Sequence, residues 1–356
     1  MNMTQIDKTK PVMITGATGY VAGWIVKRLL DEGLTIHAPV RNPDNKERLK
    51  YLDALAHQSK GSIKYFKANL LEEGSYDEAM KGCELVFHTA SPFINKVQDP
   101  QRDLVNPALL GTRNVLEGVN RSESVKRVVL TSSVAAIVGD ACDFAGYPNG
   151  EGTEKQWNTT STIDHQAYSF SKTVAEKEAW KINEQQNRWD LVVINPSLVI
   201  GPGISPLSTS ESFNLVKQIG DGTMKMGAAD FYIGVVDVRD LAEAHFTAGF
   251  KPEAKGRHII SAENSHILTL TKALQSKFGT AFPFPQKTLP KFLVWLMAPA
   301  SGFKRKMISR NVGYPWNLNH SKGINELGVK YRPVEESIVD FFQQMIDHGV
   351  VTATNQ

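Results

Sequence analysis

A chain of 356 residues with 41% hydrophobic and 22% charged side chains can bury a sizeable core and has the balance of a soluble globular enzyme. Its net charge of +3 is too small to point to nucleic acid, although a local basic site for a phosphate remains compatible with it. Two cysteines, Cys83 and Cys142, fall short of a disulfide scaffold, and without a Cys-x-x-Cys pair or two histidines four apart no metal site is expected.

Residues 1–10 are polar, carry no long apolar run and read as a short lead-in rather than a secretory signal, so a cytoplasmic setting is expected. Val12 to Thr15 reads as a buried strand ending in a glycine turn. Tyr20 to Asp31 then places Val21, Ile25, Leu29 and Leu30 at helical spacing, with Gly33 as the stop. Further strands are expected over 35–40, 63–67, 85–89, 127–132 and 191–194. Helices fall between them, including about 100–120 and 167–184. Alternation of this kind, with continuous apolar strands, predicts an α/β fold with a doubly wound parallel sheet, whose ligand crevice lies at the carboxyl ends of the strands.

This first domain is read as 10–200, completed by elements near 230–262, with 235–248 taken as a strand end and helix returning to the main sheet. Residues 201–350 are read mainly as a smaller, mixed substrate-binding lobe on the C-terminal side. It begins with loop over 205–212 and ends in an amphipathic helix over 334–348. The most apolar window, 292–300, is far short of the ~20 residues of a membrane span. It is followed by Lys304-Arg305-Lys306. A helix packed into the substrate lobe or a subunit interface is expected there, with an interfacial membrane helix as the alternative.

Thr15-Gly16-Ala17-Thr18-Gly19-Tyr20-Val21-Ala22-Gly23 follows a strand and opens a helix, the context a dinucleotide fingerprint requires. Gly16 suits the tight turn, Gly19 the approach of a phosphate, and Ala22 close packing of helix on sheet. Thr15, Gly16, Thr18, Gly19, Tyr20 and Val21 are thus cofactor-binding candidates, with helix amides facing the pyrophosphate. NAD enzymes tend to carry an acid at the end of the second strand. Here the strand ends Ala38-Pro39-Val40-Arg41, and Arg41, with Arg48 and Lys46 near, suits the 2′-phosphate of NADP(H). Asn69, beside Leu70, can bond an adenine edge or serve as an ordinary turn asparagine. Thr89, Ala90, Ser91 and Pro92 offer small residues against which a cofactor can lie.

Tyr168 and Lys172 stand four apart on a predicted helix, hence on one face. An ammonium there is expected to lower the phenol's pKa and make it a usable proton donor. Ser133, at the end of the fifth strand, can orient the same carbonyl oxygen. Tyr-x-x-x-Lys alone is weak. The ordered set of glycine turn, strand-end serine and Tyr-x-x-x-Lys is specific.

These residues, with Val40-Arg41-Asn42-Pro43, Phe87-His88-Thr89-Ala90-Ser91-Pro92, Val128 to Ser133, Asn195-Pro196-Ser197 and Val236 to Asp240, resemble the extended short-chain dehydrogenase/reductase superfamily. Within it the chain is most similar to dihydroflavonol reductases, cinnamoyl-CoA reductases and methylglyoxal/isovaleraldehyde reductases. The resemblance implies a Rossmann fold, NADPH as donor and a Ser133–Tyr168–Lys172 triad. It further implies cofactor contacts from Tyr168, Lys172, Pro196, Leu198 and Val199, and a substrate site at Ser133, Val138 and Leu198. Two positions depart from the wider superfamily. Leu110 stands where sugar-nucleotide enzymes carry asparagine before Gly111-Thr112, and Asn69 replaces a common aspartate.

The expected activity is reduction of an aldehyde or ketone in a small-molecule substrate, by a monomer or homodimer. A sugar-nucleotide epimerase or dehydratase holding NAD is the alternative, opposed by Arg41 and Leu110. A regulator that senses NADP without turnover is a third reading, opposed by the intact Tyr168 and Lys172.

Overall fold

The computed structural model describes residues 4–91, 97–206 and 210–353. Strands and helices alternate through the first half: β1 (Val12–Thr15), α1 (Tyr20–Asp31), β2 (Thr35–Val40), α2 (Lys46–Gln58), β3 (Ser62–Lys67), α3 (Asp77–Met80), β4 (Leu85–His88), α4 (Asn106–Arg121), β5 (Arg127–Thr131), α5 (Ala167–Glu184) and β6 (Asp190–Pro196). The second half adds β7 (Leu198–Ile200), α6 (Glu211–Gly220), β8 (Ala228–Ala229), β9 (Tyr232–Asp237), α7 (Val238–Phe250), β10 (Gly256–Ile260), β11 (Glu263–His266), α8 (Ile267–Phe278), β12 (Thr288–Leu289), α9 (Lys291–Met297), α10 (Arg305–Asn311), α11 (Ser321–Leu327) and α12 (Val334–Asp347).

Seven strands form one parallel sheet in the order β10-β6-β5-β4-β1-β2-β3. The order reverses between β1 and β4, which opens a crevice at their carboxyl ends. β1 and β4 are buried along their whole length, as strands covered by helices on both faces must be. α1 buries Ala22, Ile25, Val26, Leu29 and Leu30 on one face and ends at Gly33, whose φ of +85° few other residues adopt. Each large aliphatic chain so buried contributes roughly 1.5–3 kcal/mol. α1 lies on α7, where Arg28 bonds Glu243 at 2.6 Å and stacks on Phe246.

Arg127 is fully buried on β5. It forms a two-pronged bond to Asp190 at 2.7 and 2.9 Å and reaches the carbonyls of Ala248 and Lys251. A guanidinium here satisfies backbone acceptors that the end of α7 would otherwise leave unpaired.

The structure departs from the sequence reading in three places. Residues 101–105 are wound as a π-helical turn before α4, because Pro107 has no N–H for the Asp103 carbonyl. Within 205–212, helix α6 already begins at Glu211, with the Ser210 side chain capping it, while 207–209 lie outside the described residues. β9 does not return to the main sheet. It pairs parallel with β7 and antiparallel with β11 in a mixed three-stranded sheet, and β10 is the strand that joins the main one. The 292–300 window forms a helix as expected, packing Val294 and the buried Ala298 against Ile308 and Val312 while its outer side stays exposed. α12 packs as expected, burying Val334, Ile338, Phe341, Phe342 and Met345 against the phenylalanine-rich core of the lobe. Among the described residues no helix is long and apolar enough to cross a membrane.

Candidate active site

A cleft of about 1370 Å³ runs along the carboxyl ends of the main strands. That exceeds the roughly 300–1,000 Å³ of a pocket for one small ligand, so a dinucleotide and a second molecule fit together. Gly16 turns the chain out of β1 with φ +69°, and a Cβ there would stand 3.0 Å from the Ala90 Cα. Gly19 N–H closes the turn on the Gly16 carbonyl at 2.8 Å. No side chain caps the start of α1, so its first amides are left for a ligand. This cradle fits a pyrophosphate.

Gly16, Thr18, Gly19, Tyr20 and Val21 line the cleft, as do Arg41, Arg48, Asn69, Leu70, Thr89, Ala90, Ser91, Pro196, Leu198 and Val199. Pro92 lies outside the described residues. Thr15 is a correction. It is fully buried and does not reach the cleft, because its hydroxyl accepts the amides of Thr89 and Ala90 at 3.1 and 3.0 Å and meets His88 Nδ1 at 2.9 Å. With both acceptor positions used, that hydroxyl donates to Nδ1 and leaves the ring proton of His88 on Nε2. Thr15 therefore bolts β1 to β4 beneath the cradle. Tyr20 lines the cleft with its hydroxyl committed to the Gly201 carbonyl at 2.5 Å.

Arg41 and Arg48 are exposed, and neither side chain has an acidic partner among the described residues. Lys46 does not line the cleft. Asn69 is a turn residue, its Oδ1 accepting from Leu71 N–H at 3.2 Å.

Ser133, Tyr168, Lys172 and Val138 open onto the same cleft. Adjacent serines divide the work at the end of β5: Ser132 donates to the buried Glu176, while Ser133 Oγ accepts the Ala135 N–H at 3.1 Å. Tyr168 is 53% exposed because its ring faces the open cleft. The protein around the phenol oxygen, with Glu211 adding negative charge, holds its pKa above the ordinary value despite the nearby Ser133 hydroxyl. Lys172 follows one turn later on α5. The ammonium stands 5.9 Å from the ring centroid, and burial pushes Lys172 itself down to about 8, with Glu176 pulling it back up. A void of about 20 Å³, room for one water, lies behind Lys172 between His88, Thr112 and Glu176. Burial and the Lys172 charge push His88 down to about 3, so it is neutral.

Two buried hubs were not foreseen from the sequence. Glu176, one turn beyond Lys172, accepts from Ser132, from Asn195 at 2.8 Å and from Arg257 at 2.6 Å. Asp140 is fully buried and accepts from His165 at 2.8 Å, Gln166 and Asn311 at 2.7 Å and Arg310 at 2.5 Å. Burial raises the Asp140 pKa, but these bonds outweigh it and hold the carboxyl below its ordinary value. Gln166 has φ +59°, rare for a side-chain-bearing residue, and sets the start of α5 two residues before Tyr168. The C-terminal lobe adds Phe231, Ile233, Met307, Asn311 and Trp316 to the cleft wall, none of which the sequence singled out.

The family model described as "NAD dependent epimerase/dehydratase family" matches residues 12–261. The chain belongs to that family. Its curated relatives within the epimerase/dehydratase family include cinnamoyl-CoA reductase CAD2 of Medicago truncatula, 39% identical over 339 residues and covering 94% of this chain and 95% of that protein. Tetraketide alpha-pyrone reductase 1 of Arabidopsis thaliana is 32% identical over 351 residues, covering 98% and 99%. Among solved structures, yeast methylglyoxal/isovaleraldehyde reductase complexed with NADPH superposes with a TM-score of 0.76 at 26% identity, covering 96% of this chain and 99% of that one.

Proposed function

We propose that this epimerase/dehydratase-family chain is an NADPH-dependent reductase of aldehyde or ketone carbonyls in small or aromatic molecules. The observation that carries the reading is convergence. Ser133, Tyr168 and Lys172 face the cleft that the glycine cradle opens, and Arg41 and Arg48 line it with no acidic partner among the described residues, which supports a 2′-phosphate beside them. The reductases among its relatives agree with it.

When bound, the reduced nicotinamide supplies hydride to the carbonyl carbon. The chain supplies the rest. Tyr168 gives its proton to the carbonyl oxygen, and a phenol raised by burial is fully protonated at neutral pH, the state a donor needs. Ser133 donates to the same oxygen and orients it. Lys172 holds the ribose hydroxyls and keeps positive charge beside the phenolate as it forms. Because Lys172 loses its proton as pH rises through about 8, turnover falls above that pH. The main sheet and its helices, 10–200 with later elements, hold the cofactor, and 201–350 mainly shapes the substrate side. Cys83 and Cys142 are free thiols, in keeping with a cytoplasmic setting.

The test follows NADPH absorbance with a panel of aldehydes, ketones and flavanonols. Turnover that disappears in Tyr168→Phe is expected. Turnover undiminished in that variant, or none with any carbonyl, overturns the reading.

A further inference from the structure

The least expected surface lies far along the chain from the triad. From Asn264 to Asn325 the sequence contains no Asp or Glu and nine Lys or Arg. Within that stretch α9 and α10 form a hairpin that reverses at Gly302, φ +78°. The two helices meet through Val294, Ala298, Met307, Ile308 and Val312. Their outer side is apolar and open: Phe292 is 67% exposed, Leu296 59%, Met297 54% and Phe303 52%. Met226, more exposed still, precedes β8, the strand paired with β12 at the foot of α9.

A contiguous apolar patch of this kind is uncommon on a monomer and marks a binding face. Its rim fixes the chemistry of what binds. Lys304, Arg305 and Lys306 are exposed immediately beyond Phe303. Arg305 stacks on Trp295 at 4.3 Å, and Lys291 lies 4.5 Å over Tyr314. Lys291 and Lys304 bond only backbone carbonyls, those of Ser309 and Asp164. None of these four cations has a carboxylate partner among the described residues. A second copy docked on this face by a two-fold axis would bring like charges together with no acid in the stretch to offset them.

From this geometry we propose that the α9–α10 hairpin is a peripheral docking face for an anionic lipid surface. Leu296, Met297 and Phe303 enter the acyl boundary, Trp295 sits at headgroup level, and Lys304, Arg305 and Lys306 meet the headgroups. An apolar tip and a basic shoulder supply together the two signals that stable membrane attachment takes. α10 also carries Met307 and Asn311 into the cleft wall, so the docked face and the cleft share one helix.

Flotation of the purified full chain with phosphatidylglycerol–phosphatidylcholine vesicles, against phosphatidylcholine alone, tests the proposal without reference to turnover. The protein is expected to float with the anionic vesicles, to be released by high salt and to ignore the neutral ones. Leu296→Ser/Phe303→Ser is expected to weaken flotation at least tenfold, and Lys304→Gln/Lys306→Gln about fivefold per charge removed. All four residues are exposed, so the melting temperature is expected to stay unchanged. Absence of flotation, equal binding to neutral vesicles, or variants that float like the parent overturn the proposal. So does a lipid-free dimer that Leu296→Ser/Phe303→Ser converts to monomer, which would assign the face to a second copy.

Discussion

The two walls of the cleft are built by different means. The wall proposed for the cofactor is backbone: Gly16 at φ +69°, uncapped amides at the start of α1, and a threonine clamp beneath them. The wall that carries Tyr168 and Lys172 is held by buried charge, with Glu176 fixing the end of β5 to α5 and Asp140 fixing the 139–143 loop to α10. Backbone cradles tolerate side-chain change nearly everywhere except at the turn glycine. Charge hubs fail at any member, because each partner lost leaves another buried and unpaired.

The largest expected effect separates chemistry from both walls. Tyr168→Phe should cut kcat by ~10²–10⁴ while NADPH binding, followed by its fluorescence, stays intact. Next comes the charged wall. Glu176→Gln leaves Arg257, 7% exposed, without its carboxylate, and the stability lost should be about 3–5 kcal/mol by urea unfolding. The same change removes the influence that raises the Lys172 pKa. The alkaline fall in turnover should therefore move below pH 8 in the protein that does fold. A stable variant with an unmoved profile would reduce Glu176 to a passive core residue. The backbone wall is probed by Gly16→Ala, which forces a Cβ against Ala90 in a left-handed backbone and should raise the KM for NADPH tenfold or more with little change in kcat.

What the sequence made legible follows the same division. The glycine turn, α1 over Tyr20–Asp31 and α5 over Ala167–Glu184 rest on local spacing, and the structure has them at those limits. The hubs rest on partners far apart in the chain. Glu176 meets Arg257 81 positions away, and Asp140 meets Arg310 170 positions away. Read locally, Glu176 is one acid in a charged helix and resembles a solvated face. Only its place one turn after Lys172 hinted otherwise. Gln166 carried no local signal, since a left-handed glutamine is held by the fold around it rather than preferred by its own chemistry.

The smallest expected effect concerns the outer end of the cofactor wall, where side chains take over from backbone. Arg41 and Arg48 are exposed, so a phosphate bonded there stays partly hydrated and screened by salt. Arg41→Ala should therefore cost only about tenfold in kcat/KM with NADPH, about 1.4 kcal/mol, and leave NADH nearly unchanged. The loss should shrink as ionic strength rises, because an exposed guanidinium–phosphate pair is screened while a backbone cradle is not. If NADPH and NADH suffer alike, Arg41 supports the turn at the end of β2 instead of reading the phosphate. If only the double change Arg41→Ala/Arg48→Ala erases the preference, the two arginines share one anion. Discrimination between the cofactors would then be a property of the pair, set by charge density at the mouth of the cleft.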